Sequence, residues 1–137
     1  MSQENVELAR RGYVALNEAF KTGEFLPAIQ EFCDPEIVLK PSGILPESRE
    51  MHGHEGMLQF LAIQAEAFEA FSVEPHEFID AGDRVVVPVR FGGRAVHTGL
   101  DVHFDVVHVC SARNGKWKRI DMYVGRNEAL EAVGLSE

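Results

Sequence analysis

The chain has 137 residues, 45% of them hydrophobic and 26% charged, with 13 basic against 22 acidic side chains and a net charge of −9. That length suits one domain able to bury a core without staples. The acidic balance, with no basic cluster to offset it, argues against nucleic-acid binding by counterion release.

The two cysteines, Cys33 and Cys110, have no metal-type spacing and read as small buried hydrophobes. Met1 to Glu7 has neither a basic segment nor an apolar one, so no signal peptide is expected. No apolar run nears the ~20 residues a membrane span needs. A soluble, reduced, cytoplasmic protein is the expectation.

In chain order, Val6, Ala9, Tyr13, Leu16, Asn17 and Phe20 recur at three- and four-residue spacing, which predicts an amphipathic helix ending at Thr22-Gly23. Residues 25–32 predict a shorter helix with Phe25, Leu26, Ile29 and Phe32 inward, stopped by Asp34-Pro35. Residues 36–40 form a short strand, and residues 41–46 a loop. A third helix is predicted over 54–69, with Met57, Phe60, Leu61, Gln64, Ala65 and Phe68 as its inner stripe. The pattern then turns β. Strands are expected at 73–80 and 84–91, with a turn at Gly82-Asp83 and a break at Gly92-Gly93. Pro88 speaks against a central place for the second of these, because proline cannot donate to a ladder.

Asn114-Gly115 lies between the strands 102–111 and 116–124, and a helix over 127–133 follows, closed by Gly134. Asn-Gly is the strongest short hairpin signal, since a type I′ turn needs two residues at positive φ. A two-residue loop with unbroken register would set Ala112 opposite Trp117, Cys110 opposite Arg119, His108 opposite Asp121 and Val106 opposite Tyr123. An imidazole and a carboxylate would then stand side by side among apolar groups, their β-carbons ~4.5–5.5 Å apart. In a partly dry pocket, the carboxylate would orient the ring and leave its other nitrogen free for proton transfer. A slip of one residue would put the two on opposite faces.

Segregated helices and meandering strands predict a single α+β domain over 1–137, a cone-shaped curved antiparallel sheet wrapped around the N-terminal helices. The element order and several local strings resemble the SnoaL-like polyketide-cyclase branch of the nuclear transport factor 2-like superfamily, to which ketosteroid isomerases are related. The carriers are Asn17-Glu-Ala-Phe-Lys-Thr-Gly-Glu24, Asp34-Pro35-Glu36, His52-Gly-His-Glu-Gly56 and Phe78-Ile-Asp-Ala-Gly-Asp-Arg-Val-Val86. Thr98-Gly99, His108-Val109 with Asn114-Gly-Lys116, and the run from Arg126 to Leu135 complete them.

The resemblance implies a homodimer that acts on small hydrophobic molecules without metal or organic cofactor, using pocket histidines or carboxylates. His108 is similar to the cyclase histidine, and either Asp121 or Met122 stands at the place of the cyclase aspartate. Lys40 occupies the place, before a proline, of the isomerase aspartate, which argues against steroid isomerisation by that base.

The expected function is therefore cofactor-free acid/base chemistry of the cyclase, isomerase or dehydratase kind on a hydrophobic, carbonyl-bearing substrate. His108 would transfer the proton, Asp121 would orient it, and Tyr123 with Arg119 would bind an oxyanion. The alternative is a non-catalytic ligand-binding or dimerisation module, with Arg119 paired to Asp121 at an interface. Trp117 reads as a rim or packing residue. His52, His54, His76, His97 and His103 have no cysteine or carboxylate at a ligand spacing and read as solvent-facing. Gly92, Gly93 and Gly99 read as turn or bulge residues rather than a phosphate loop.

Overall fold

The opening helical periodicity folds as expected: in the computed structural model, which describes residues 2–41 and 49–135, α1 runs Ser2–Thr22. It buries Leu8, Ala9, Tyr13 and Ala19. Gly23 ends it at φ 80°, its N–H donating to the Ala19 carbonyl, a left-handed C-terminal position that glycine takes without strain. Helix α2 (Leu26–Phe32) buries Ile29 and Phe32, while Leu26, expected inward, is 44% exposed.

The remaining elements are β1 (Cys33–Lys40), β2 (Met51–His52), α3 (Gly53–Ala67), β3 (Phe68–Pro75), β4 (Ile79–Ala81), β5 (Arg84–Ala95), β6 (Asp101–Arg113), β7 (Lys116–Tyr123) and α4 (Arg126–Ala132). The loop expected over 41–46 lies, apart from Pro41, outside the described residues. No helix among the described residues is long and apolar enough to cross a membrane.

The strands form one curved, unclosed sheet in the order β2-β1-β7-β6-β5-β3, with β4 paired to β5. The α+β architecture is the one expected, with one departure: β1 and β7 run parallel. Inward residues of the sheet, among them Val85, Val87, Val89 and Val106, join α1, α2 and α3 in the main core. The outer face carries a smaller cluster in which Ala129, Leu130 and Val133 cover Val86, Val107 and Val109.

Three details of the β region differ from the expected strands. The segment 73–80 is not one strand but the end of β3 and the start of β4. Pro88 nonetheless sits in the middle of a central strand. Its carbonyl accepts the His76 N–H at 2.8 Å, so its N-side faces residues 76–78, where the neighbouring strand is interrupted and no donor is required. And β5 does not break at Gly92-Gly93. A β-carbon on Gly92, at φ 151°, would collide with the Val102 carbonyl, and one on Gly93 would crowd the Glu69 carbonyl, so the two glycines let β5 pass between its neighbours.

Candidate active site

The hairpin begins as expected and then changes register. Asn114 and Gly115 have φ of 54° and 76°, and Arg113 pairs with Lys116 and Ala112 with Trp117. One step further Ser111 pairs with Arg119, leaving Lys118 as the extra residue of a β-bulge. From there His108 pairs with Met122, Cys110 with Ile120, Val109 with Asp121 and Val107 with Tyr123. The facing pair of His108 and Asp121 expected from an unbroken ladder does not form; nor do those of Cys110 with Arg119 and Val106 with Tyr123.

The physical reason is in β7 itself. Without the bulge, strand alternation would turn Arg119, Asp121 and Tyr123 inward and Ile120 and Met122 to the outside. Burying an ion pair in an apolar cone costs several kcal/mol per charge, so the bulge that admits Ile120 and Met122 wins. The spacing of Trp117 to Ile120, three rather than two, is the sequence signal for it.

Arg119, Asp121 and Tyr123 accordingly share the outer face. Arg119 donates to Asp121 in a bidentate pair, Nε to Oδ2 and Nη2 to Oδ1, both at 2.9 Å. That pairing holds the guanidinium pKa above its ordinary value. Tyr123 packs beside the α4 cluster, and its phenol is raised chiefly by burial and then by the Asp121 charge.

His108 points the other way, into a half-open cavity of ≈ 110 Å³ lined by α1, α2, α3 and the inner face of the sheet. Its wall is almost wholly apolar: Leu16, Phe20, Phe25, Phe60, Phe71 and Phe91 are among its members, and so is Trp117, which is buried rather than on a rim. Aromatic edges meet along it, with Phe20 and Phe71 centroids 4.7 Å apart. Met57 and Met122 retain partial exposure and supply flexible side chains to the lining.

Polar chemistry enters this wall at few points. His108 is 7% exposed and its Nδ1 lies 2.7 Å from the Tyr13 hydroxyl, a hydrogen bond between β6 and α1. The two rings lie nearly parallel, 12° apart, with centroids separated by 6.0 Å. The same hydroxyl is 4.0 Å from Cys110 Sγ, within reach of a weak sulfur hydrogen bond. Burial drives each of these groups to its neutral form. His108 is lowered to about 4, Cys110 is raised to about 12, and Tyr13 stands well above the ordinary phenol range. Cys33, also in the lining, is likewise raised to about 12 by burial. Among the described residues the lining holds no Asp, Glu, Lys or Arg, and its titratable groups are neutral near neutral pH.

Tyr13 was missed as a site residue because its place in the α1 stripe reads as core; the signal was a buried phenol, whose hydroxyl needs a partner. Gln64, from α3, is a further polar side chain in the lining. His54, expected to face solvent, lies in the first turn of α3 and places Nε2 2.8 Å from the Cys33 carbonyl. Among the described residues no cluster of three or more His, Cys, Asp or Glu side chains is arranged to hold a metal ion.

The sequence matches the SnoaL-like domain family over residues 13–120. No curated protein sequence matches it. Among solved structures, a nuclear transport factor 2-like protein of unknown function from Burkholderia pseudomallei is 26% identical with a TM-score of 0.73, over 98% of this chain and 99% of that one. TerC, crystallised with polyporic acid, is 22% identical with a TM-score of 0.68, over 92% and 98%. A protein of ketosteroid isomerase-like fold from Catenulispora acidiphila, in complex with trimethylamine, is 19% identical with a TM-score of 0.68, over 89% and 91%.

Proposed function

The chain belongs to the SnoaL-like domain family, and from that premise we propose that it binds a neutral, hydrophobic, carbonyl-bearing small molecule in its cavity. The observation that carries this reading is the hydrogen-bonded pair of Tyr13 and His108, set in a wall that has no charged side chain among the described residues. In the proposed tautomer un-ionised Tyr13 donates its O–H to His108 Nδ1, and Nε2–H is then the donor for a ligand carbonyl. A donor in so dry a place polarises a carbonyl strongly, as preorganised dipoles do where water is excluded. A charged ligand would enter without a counter-ion and is disfavoured. The co-crystallisation of TerC with polyporic acid supports the use of this fold for small-molecule ligands.

The same pair supports a second reading, cofactor-free turnover of the cyclase, isomerase or dehydratase kind. Here Tyr13 takes the orienting place first expected for Asp121. A histidine lowered to about 4 is a weak base, so such a reaction would rely on carbonyl polarisation and on a substrate proton already acidic. Arg119, Asp121 and Tyr123, on the outer face, suit an interface between two copies of the chain better than proton transfer.

Trp117, the single tryptophan, lines the cavity and reports occupancy by its fluorescence. Titration with indanone and with indane, its hydrocarbon counterpart, tests the reading. The ketone should bind at least ~10-fold more tightly, and His108→Phe should remove that preference while Asp121→Asn leaves it intact. Equal binding of ketone and hydrocarbon to the wild type would contradict it.

A further inference from the structure

Gln64 stands on α3 in the wall of the cavity that His108 lines from β6, and it is 2% exposed. Both its amide atoms, Nε2 and Oε1, are fully buried, and among the described residues neither has a hydrogen-bond partner. Buried polar side chains nearly always find partners, because an unpaired amide loses its hydration and gains nothing in return. An aliphatic residue at this place in the stripe beside Phe60 and Leu61 would avoid that cost.

We infer that Gln64 is a specificity residue whose partner is the ligand itself. A carboxamide offers one donor and one acceptor side by side, and its complement is a ligand edge with the same two functions reversed. Resting on the proposed cavity binding, this narrows the ligand class. It is a flat, uncharged molecule with an N–H donor next to a carbonyl acceptor, as in a lactam, carried on an apolar frame that fills the aromatic wall. The ligand N–H donates to Gln64 Oε1, and Gln64 Nε2–H donates to the ligand carbonyl. A site built to pair such an edge rejects an analogue that lacks the donor, because a buried acceptor is then stranded.

The test uses carbostyril, a neutral bicyclic lactam, against its N-methyl derivative, followed by Trp117 fluorescence. The wild type should prefer carbostyril by at least ~10-fold. Gln64→Leu, of similar size and without the amide, should bring the two affinities to within about 2-fold and raise the melting temperature, since it removes the unpaired group. Gln64→Met serves the same purpose should the leucine variant not fold. A wild type that does not discriminate, or a preference that survives in the variants, overturns the inference. Indanone binding without carbostyril binding overturns it and leaves the cavity reading standing, whereas binding of neither overturns both.

Discussion

The Tyr13 hydroxyl and His108 Nδ1, 95 residues apart in the chain, meet at 2.7 Å and tie α1 to the inner face of β6. The contact makes one helix part of the sheet's chemistry. It satisfies two polar groups that would otherwise be stranded in an apolar interior.

Tyr13→Phe keeps the ring and removes the hydroxyl, leaving the His108 nitrogen without its partner. The expected loss of stability is about 1–3 kcal/mol, read from urea unfolding. Ketone affinity should fall as well, because the imidazole tautomer is no longer fixed. Unchanged stability would mean that the bond contributes nothing.

Stability should decline in mild acid for an identifiable reason. His108 is lowered from 6.5 to about 4 by burial. Between those values the unfolded chain binds a proton that the folded chain does not, so stability falls as pH drops through this window. The loss is bounded by about 3.5 kcal/mol at ~1.4 kcal/mol per pH unit, and the slope from this group fades to nothing about one unit above 6.5. Asp34 is lowered below 3.8 chiefly by the Glu36 N–H and adds its own loss only at lower pH. His108→Leu should flatten the upper window and leave the lower one; chemical denaturation at a series of pH values measures both.

Asn17 makes two hydrogen bonds to one residue of the terminal strand β3. Its Nδ2 donates to the Val73 carbonyl and its Oδ1 accepts the Val73 N–H, each at 2.8 Å. The side chain thus covers part of an open sheet edge. Asn17→Leu should cost about 1–3 kcal/mol and speed hydrogen exchange at Val73. Retained protection at that amide would contradict the assignment.

Cys33 and Cys110 are both buried and both raised to about 12. Thiolate is the reactive form, so in native protein at about pH 8 a thiol reagent should label neither on the timescale that labels both in denaturant. Fast native labelling would show the cavity to be wetter than its lining indicates.

The helices, their order and the terminal hairpin were legible because they rest on local signals. These were the α1 stripe ending at Gly23, the Asp34-Pro35-Glu36 stop and the Asn114-Gly115 turn. What failed was the step from a turn to a register. The turn fixes only the first two pairs, and Lys118 then bulges because Ile120 and Met122 gain from entering the core while Arg119 and Asp121 escape the cost of burial there. His108 was found because a histidine in an apolar strand stands out. Its partner was not, since the contact joins α1 to β6 and no spacing rule links residues so far apart. Gln64 was visible as a polar member of an apolar stripe, but its want of a partner is a property of the folded interior alone.

The central claim, that His108 donates to a ligand carbonyl inside an uncharged cavity, is tested most directly by the infrared carbonyl stretch of bound indanone. In the wild type the band should lie below its frequency in an apolar solvent, and in His108→Phe it should return to that solvent value. A bound ketone whose band matches the apolar solvent in the wild type, or whose lowered band survives in His108→Phe, would contradict the account.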